Sequence, residues 1–511
     1  MAWSDLPAKP NILVVITDQQ RSPQHWPPEM EGRLASMERL QRTGLSFERA
    51  YSAACECSPS RSALVTSTYP EENGVTQTEP PISLPLPAQL PNFGSVLSAA
   101  GYQVIWKGKW HLTCPVVYTA VGSLSPWGFE GWEPPDAGTT LDNQYLGAGT
   151  PGNKLVNGND ERFVTEAIRF LETFDAKAGP PFCLVVSLVN PHDVHMWNQD
   201  WESVGFPREI PDLGIDLPGN RKDSLATKPA AQRAFRHAFD QSYPFDLEAD
   251  PPVTEKGYVN FYAYLHTLVD QNICALLHAL DRARLTDDTL VVRFADHGEM
   301  ALSHGLREKM YNAYRETVHV PLVFSNPRAF PVAETTRAFA SLLDLCPTLA
   351  AVAGAAPPDG WKGKDLTPVL ADPTCSVQDA VVYTYDDDAG LDENEIATHI
   401  RSLRKERFMY SVYCSEQSAQ VPMEFELYDL VADPGELTNL LNPPPTSPEI
   451  LEIWQSLHSE LTAKLPELEA MPQLPPGTVW PVLVGLSLLT EGPRPFSEIE
   501  PERFITAMRG K

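Results

Sequence analysis

Apolar runs rich in β-branched residues alternate along the chain with segments whose apolar positions recur every three or four residues. The apolar runs and their shorter neighbours predict strands at residues 10–17, 45–51, 101–107, 181–189 and 289–295. The helical periodicity covers residues 36–44, 92–100, 159–174 and 258–284. Strands of the first kind are typical of a parallel sheet that helices cover on both faces.

The last third of the chain changes to short strands. Residues 380–385, 399–403, 407–413 and 424–430 suit a small antiparallel sheet, and a helix at 450–465 follows them. We therefore divide the chain into a large domain (1–373), a small antiparallel-sheet subdomain (374–470) and a Pro-rich tail (471–511). We expect the tail to lie over the body or at the interface of a homo-oligomer, and the acidic residues between 386 and 395 to form a solvated loop.

Polar side chains with metal-binding chemistry follow two of the buried strands. Asp18 and Gln19 come directly after the first strand, and Asp296 and His297 come directly after strand 289–295. Ligands of open α/β sheets bind at the carboxyl ends of the strands, and oxygen donors suit a divalent cation. These residues are therefore four candidate ligands for one metal ion. For Asp18 and Gln19 taken alone, the alternative is a helix cap or a turn.

A candidate nucleophile lies in the stretch Cys57-Ser58-Pro59-Ser60-Arg61. The residues that follow, 62–67, predict the first turns of a helix, and Pro59 suits such a start. A nucleophile at a helix N-terminus lies close to exposed backbone N–H groups and is well placed to meet an anion. The alternative is a buried cysteine near the start of a helix.

Two further polar residues follow strand 101–107. Lys109 and His111 alternate along an extended segment, so both side chains can point the same way. A fixed cation and an imidazole that face a bound anion can offset its charge. The alternative is a solvent-facing lysine and a core histidine.

These motifs together resemble those of the formylglycine-dependent sulfatases (type I sulfatases), which belong to the alkaline phosphatase superfamily. The resemblance rests on C-x-P-x-R at 57–61, G-K-W-H-L at 108–112, P-H at 191–192 and D-H-G-E at 296–299, and it covers residues 11–439 in the order of the family. It implies an alkaline phosphatase-like α/β fold: a large mixed, mostly parallel sheet flanked by helices, with a smaller C-terminal antiparallel α+β subdomain.

The resemblance also implies roles for individual residues. Cys57 would be oxidised to formylglycine (3-oxoalanine), whose hydrate is the nucleophile, and Arg61 would hold it. Lys109, His111 and a second lysine, Lys309, would face the sulfate, while His192 would protonate the leaving group. The family default for the metal is Ca²⁺, with Mn²⁺ or Mg²⁺ as alternatives. A formylglycine-generating enzyme is the implied maturation partner.

The implied reaction is hydrolysis of a small sulfated organic substrate, a sulfate monoester, to an alcohol or phenol and inorganic sulfate. The runner-up is a phosphonate monoester or phosphodiester hydrolase of the same superfamily, which shares the Asp-Gln and Asp-His pairs. Those enzymes replace the lysine and histidine of G-K-W-H, so Lys109 and His111 favour a sulfatase. A third alternative is a non-catalytic binding protein on this fold. We expect substrate choice to reside in the irregular segment 196–250, and His195 to be structural or substrate-facing.

Composition excludes several other classes of protein. There are 39 Lys and Arg residues against 67 Asp and Glu residues, and the net charge of -28 repels nucleic acid and anionic membranes. The first residues, 1–7, lack the pattern of a signal peptide, and Pro481 interrupts the longest apolar run, 479–489. The eight cysteines are scattered. We therefore expect a cytoplasmic protein with reduced thiols.

Overall fold

The strands form two separate sheets. The structure is a computed structural model, and it describes residues 3–78, 85–113, 123–137, 158–175, 177, 179–197, 206–387, 390–418 and 420–465. The strands are β1 (Asn11–Asp18), β2 (Gly44–Tyr51), β3 (Gln103–Gly108), β4 (Phe182–Pro191), β5 (Thr289–Ala295), β6 (Leu322–Ser325), β7 (Glu334–Ser341), β8 (Ala380–Tyr385), β9 (His399–Lys405), β10 (Phe408–Cys414) and β11 (Glu424–Asp429). The predicted tail 471–511, with its apolar run, lies outside the described residues.

Helices connect the strands and cover the larger sheet. They are α1 (Ala35–Arg42), α2 (Cys57–Thr66), α3 (Pro70–Asn73), α4 (Phe93–Ala99), α5 (Asn159–Thr173), α6 (Ala230–Ser242), α7 (Glu255–Arg282), α8 (Arg315–Val318), α9 (Leu345–Val352), α10 (Thr367–Ala371) and α11 (Pro448–Lys464). Short 3-10 turns occur at Trp3–Asp5, Pro23–His25, Pro28–Met30, Ser125–Trp127, His192–Met196, Thr286–Asp288, Ser303–Gly305 and Leu342–Asp344. None of the described helices is long and apolar enough to cross a bilayer.

The larger sheet has seven strands in the order β3-β4-β1-β5-β6-β2-β7. The pairs β3·β4, β4·β1, β1·β5 and β2·β7 are parallel, and β6 runs antiparallel to both β5 and β2. The prediction of a mixed, mostly parallel sheet is therefore confirmed. Because β1 lies between β4 and β5, the carboxyl ends of these three strands share one edge, and the site lies at that edge.

Both faces of this sheet are buried, as the continuous apolar runs predict. In β1, Leu13 and Val15 pack against α5 and α7 on one face. Ile12, Val14 and Ile16 pack on the other face, against the layer that contains α4 and α9. Every residue of β1, β4 and β5 is buried, as expected of central parallel strands that helices cover on both faces.

The second sheet has four antiparallel strands in the order β11-β10-β9-β8, and α11 packs on it through Trp454. This confirms the predicted C-terminal sheet. One expectation for this region is wrong: the acidic residues from 386 onward do not form a simple solvated loop. Asp386, Asp387 and Glu393 are buried, because His399 and Arg401 of β9 bond Asp386, and His399 also bonds Glu393.

Candidate active site

The candidate nucleophile begins a helix that is buried along its whole length. Cys57 is the first residue of α2, and every residue of α2 is buried. The Ser58 hydroxyl donates to the carbonyl of His111 (2.7 Å), and the Ser60 hydroxyl donates to the carbonyl of Asp296 (2.6 Å). The first turn of α2 is thereby fixed between the loops that follow β3 and β5.

Four side chains from distant parts of the chain meet at this turn. Ligand atoms of Asp18, Cys57, Asp296 and His297 all lie within 4.8 Å of one another. The Cys57 Sγ atom is 3.3 Å from His297 Nε2 and 3.6 Å from Asp18 Oδ1. Two carboxylates and an imidazole around one small volume are a donor set that fits a divalent cation.

Two buried cations surround the same carboxylates. Arg61 Nη2 lies 2.9 Å from Asp18 Oδ2 and 3.0 Å from Asp296 Oδ2, and Lys109 Nζ lies 2.7 Å from Asp18 Oδ2. Arg61 also donates through Nη1 to the Lys109 carbonyl and to Ser187 Oγ. Burial alone would raise the pKa of Asp18, but the surrounding charges, with Lys109 first among them, hold that pKa well below its ordinary value.

A third cation of the site, Lys309, is also buried. Lys309 Nζ is 2.8 Å from Gln19 Oε1 and 3.2 Å from Glu308 Oε2. The Gln19 amide nitrogen donates to Glu308 and also to Glu299, at 3.0 and 2.6 Å. The Gln19 side chain therefore bonds Lys309 and two glutamates, while its backbone N–H donates to Asp296 Oδ1 (3.1 Å).

The two predicted histidines occupy adjacent loops after β3 and β4. His111 and His192 are buried, and the Nδ1 atom of each has no hydrogen-bond partner among the residues that the structure describes. Burial lowers the pKa of both histidines, and the charge of Lys109 lowers it further. His195 packs edge-on against His192 with ring centroids 4.6 Å apart, and its Nδ1 lies 2.8 Å from the His192 carbonyl oxygen.

Two polar residues that sequence patterns did not single out also adjoin the site. Asp136 accepts the backbone N–H groups of Trp110 and His111, and Asp160 accepts those of Val189 and Asn190. Each is a single aspartate in or next to an irregular stretch, so no spacing in the sequence indicated them. His304, by contrast, is buried away from the ligand cluster and pairs with Asp223 at 2.8 Å.

Comparison with known proteins agrees with this geometry. The family model described as Sulfatase matches residues 10–355. The chain belongs to the sulfatase family. The C-terminal part of this sulfatase, residues 303–466, also matches the model described as N-sulphoglucosamine sulphohydrolase, C-terminal.

Characterised relatives cover most of this sulfatase. An ulvan-active sulfatase of Formosa agariphila is 27% identical over 471 residues, which cover 91% of this chain and 82% of the relative. A choline-sulfatase of Rhizobium meliloti is 26% identical, covering 85% of this chain and 83% of the relative. The chain is thus a sulfuric ester hydrolase.

Solved structures bear on the fold alone. A phosphonate monoester hydrolase of Agrobacterium radiobacter superposes with a TM-score of 0.66 at 20% identity, over 90% of this chain and 96% of that one. Its likeness shows that both chains share the alkaline phosphatase-like architecture. At this identity it says nothing about which ester this sulfatase prefers.

Proposed function

We propose that this sulfatase hydrolyses the sulfate monoester of a small alcohol or phenol, with Cys57 in its formylglycine form as the nucleophile. The observation that carries the proposal is the position of the Cys57 Sγ atom, 3.3 Å from His297 Nε2 and 3.6 Å from Asp18 Oδ1. In formylglycine an oxygen replaces the sulfur on the same carbon, so Sγ stands for an oxygen of the hydrated aldehyde. A sulfate monoester is also the common feature of the substrates implied by the names of the two relatives above.

We further propose that Asp18, Gln19, Asp296 and His297 hold one divalent cation, with Ca²⁺ preferred because oxygen donors predominate. Mn²⁺ and Mg²⁺ are the alternatives, and the imidazole of His297 suits Mn²⁺ better than an all-oxygen set would. Gln19 follows Asp18 at the end of β1, and its Oε1 atom, which accepts a hydrogen bond from Lys309, would have to exchange that bond for the cation. When bound, the cation acts as a Lewis acid on a sulfate oxygen and favours ionisation of the hydrated aldehyde.

The charges of the site suit a sulfate group. Arg61, Lys109 and Lys309 are three buried cations at the site, so they can balance the negative charge of the group in transfer. Each of these cations has buried hydrogen-bonding or ion-pairing partners, so its charge lies inside the site and not on the protein surface. His111 lies on the same loop as Lys109 and is buried as well.

His192 is proposed to protonate the leaving oxygen. Its pKa is lowered by burial and by the charge of Lys109. A bound sulfate ester brings negative charge beside Lys109, which offsets that influence and lets the imidazole carry the proton it must donate. Its loop adjoins that of His111 because β3 and β4 are neighbours in the sheet.

A phosphonate monoester hydrolase is the competing function, since it shares the Asp-Gln and Asp-His pairs and the fold. We favour sulfate because Lys109 and His111, which those enzymes lack, are buried at the site and not solvated. Maturation by a formylglycine-generating enzyme belongs to the same proposal. The cytoplasmic location, the homo-oligomer and the domain boundaries stay predictions.

The proposal is tested by comparing hydrolysis of 4-nitrophenyl sulfate with that of 4-nitrophenyl phenylphosphonate, in protein co-produced with a maturing enzyme. We expect a higher kcat/KM for the sulfate, and Cys57→Ala to lower it by about 10⁴-fold because the nucleophile is lost. Cys183→Ala, which removes a buried thiol from β4, serves as the control for damage to the core. A faster phosphonate reaction, or activity that survives Cys57→Ala, would overturn the proposal.

A further inference from the structure

The loops that carry His111 and His192 are held in the same way. Each loop follows a strand of the larger sheet, β3 or β4. Two consecutive backbone N–H groups bond a carboxylate in each case, within the loop after β3 and in the last residues of β4. At the carboxyl end of a strand, backbone N–H groups no longer have partners in a neighbouring strand. A buried N–H group without a hydrogen bond lowers the stability of the fold. In both cases the hydrogen-bond acceptor is the carboxylate of an aspartate that lies elsewhere in the chain.

Asp160 holds the end of β4, directly before the loop that carries His192. It is 2% exposed and is the second residue of α5. Its Oδ1 accepts the N–H of Val189 (2.6 Å) and its Oδ2 accepts the N–H of Asn190 (3.1 Å). These two donors lie directly before Pro191 and His192. Both oxygens are used, so the carboxylate fixes the direction in which the chain leaves β4.

This arrangement is costly for Asp160. Burial raises its pKa to about 7, and the two backbone hydrogen bonds offset only part of that effect. A carboxylate with no arginine or lysine in contact among the described residues is a poor choice for packing alone. Two parallel N–H donors, however, require two acceptor oxygens in one plane, which a carboxylate has and an amide lacks.

Asp136 holds the loop after β3 by the same geometry. Its Oδ1 accepts from Trp110 N (2.9 Å) and its Oδ2 from His111 N (2.8 Å), and the Ala137 N–H adds a third bond. The backbone of His111 has φ +60°, a region that non-glycine residues enter at a cost. The carboxylate compensates for that cost by binding the two N–H groups of the strained turn.

We propose that Asp160 and Asp136 are positioning residues, which set the places of His192 and His111 through the backbone without touching the substrate. The inference rests on the proposed role of His192 as proton donor. It assigns to Asp160 a contribution to protonation of the leaving oxygen, and to Asp136 a contribution to binding the sulfate. The two aspartates therefore predict different kinetic signatures, although their hydrogen bonds are alike.

The test uses Asp160→Asn and Asp136→Asn in the mature, metal-loaded enzyme and a series of aryl sulfates whose phenols differ in pKa. Asparagine offers one oxygen where two are needed and presents an NH₂ group to the second backbone donor. For Asp160→Asn we expect little loss with 4-nitrophenyl sulfate and a loss in kcat/KM of about 10–100-fold with the least acidic phenols, which need protonation most. For Asp136→Asn we expect the same fold loss across the whole series.

A uniform loss in Asp160→Asn would overturn the inference, since a merely structural defect does not depend on the leaving group. His192→Ala separates the two levels of the argument. If His192→Ala steepens the dependence on the leaving group and Asp160→Asn does not, the positioning role is wrong and the proposed function stands. If His192→Ala leaves the dependence unchanged, the proposed role of His192 is itself wrong.

Asp160→Glu keeps the inference testable if the asparagine variant does not fold. Glutamate retains both acceptor oxygens at the end of a side chain that is one methylene longer. Because the longer side chain displaces both oxygens at a buried position, we expect its losses in kcat/KM also to be greatest with the least acidic phenols. A uniform loss, or no loss, across the series in a folded Asp160→Glu protein would contradict the proposal.

Discussion

At the scale of single residues, Arg61 joins helix α2 to the candidate metal cluster. Its guanidinium bonds two carboxylates of the candidate metal cluster, a backbone carbonyl and the Ser187 hydroxyl, and its side chain is 2% exposed. A planar group with several fixed donors can satisfy all of these partners at once, which a lysine cannot. Arg61 thus bridges the two carboxylates and supplies positive charge near Cys57.

Arg61→Lys is therefore expected to fold less stably and to lower kcat/KM for an aryl sulfate by about 10²–10³-fold, because charge stabilisation in the site depends on fixed geometry. Steady-state kinetics and thermal unfolding measure the two effects. Arg39→Lys is the matched control, since Arg39 pairs with Asp281 on the surface through two hydrogen bonds. That change should cost no more than about 1 kcal/mol. Equal activity in both variants would contradict the role given to Arg61.

The sequence motifs indicated the residues of the candidate metal cluster, but not the aspartates that hold the neighbouring backbone. Asp18, Cys57, Asp296 and His297 each end a recognisable strand or begin a helix, so their convergence follows once the strands are neighbours. Asp136 and Asp160 bond backbone N–H groups 25–30 positions away in sequence, and any aspartate in those stretches could have done so. Such pairing depends on loop geometry, which no local pattern records.

At the scale of elements, apolar runs located the strands but could not order them. Continuous apolar runs in the sequence identified β1, β4 and β5. The strand β6, by contrast, has only four residues and runs antiparallel between β5 and β2. Its short length gives no periodicity to read. The prediction of a solvated loop for the acidic residues that begin at 386 is wrong for another reason. Their charge does not reveal that the neighbouring strand carries His399 and Arg401.

His399 makes the stability of the second sheet dependent on pH. Its Nδ1 lies 2.7 Å from Asp386 Oδ1 and its Nε2 lies 3.0 Å from Glu393 Oε2, so both ring nitrogens must carry protons. Burial lowers its pKa, but the hydrogen bonds to Asp386 and Glu393 and the nearby Glu416 raise it to about 10. Arg401 shares Asp386 and is always charged. The folded state therefore binds this proton more tightly than the unfolded state.

Protonation of His399 therefore stabilises the folded state by on the order of a few kcal/mol. This stabilisation is complete below the unfolded pKa of about 6.5 and is lost as pH rises towards 10. We expect the melting temperature to fall between pH 7 and 10, and His399→Gln to reduce that fall. His458→Gln, at a histidine that bonds the Tyr410 hydroxyl, is the control and should leave the slope unchanged. Identical slopes in the parent and His399→Gln proteins would refute this account.

At the scale of the whole molecule, the two sheets meet beside the nucleophile. Ala54 forms a bridge with Thr384 of β8, and the Thr384 N–H donates to the Ala53 carbonyl (2.9 Å). The C-terminal sheet therefore supports the stretch that leads into Cys57. The sequence as a whole carries a net charge of -28, whereas the candidate site holds the buried cations Arg61, Lys109 and Lys309.

The central claim is that hydrolysis depends on the aldehyde form of Cys57. The direct measurement is the fraction of aldehyde in the peptide that contains Cys57, determined by mass spectrometry, against sulfatase activity in preparations made with increasing amounts of the maturing enzyme. The account predicts that activity rises in proportion to the aldehyde fraction and extrapolates to zero when only the thiol is present. Full activity in protein whose Cys57 is an unmodified thiol would contradict it.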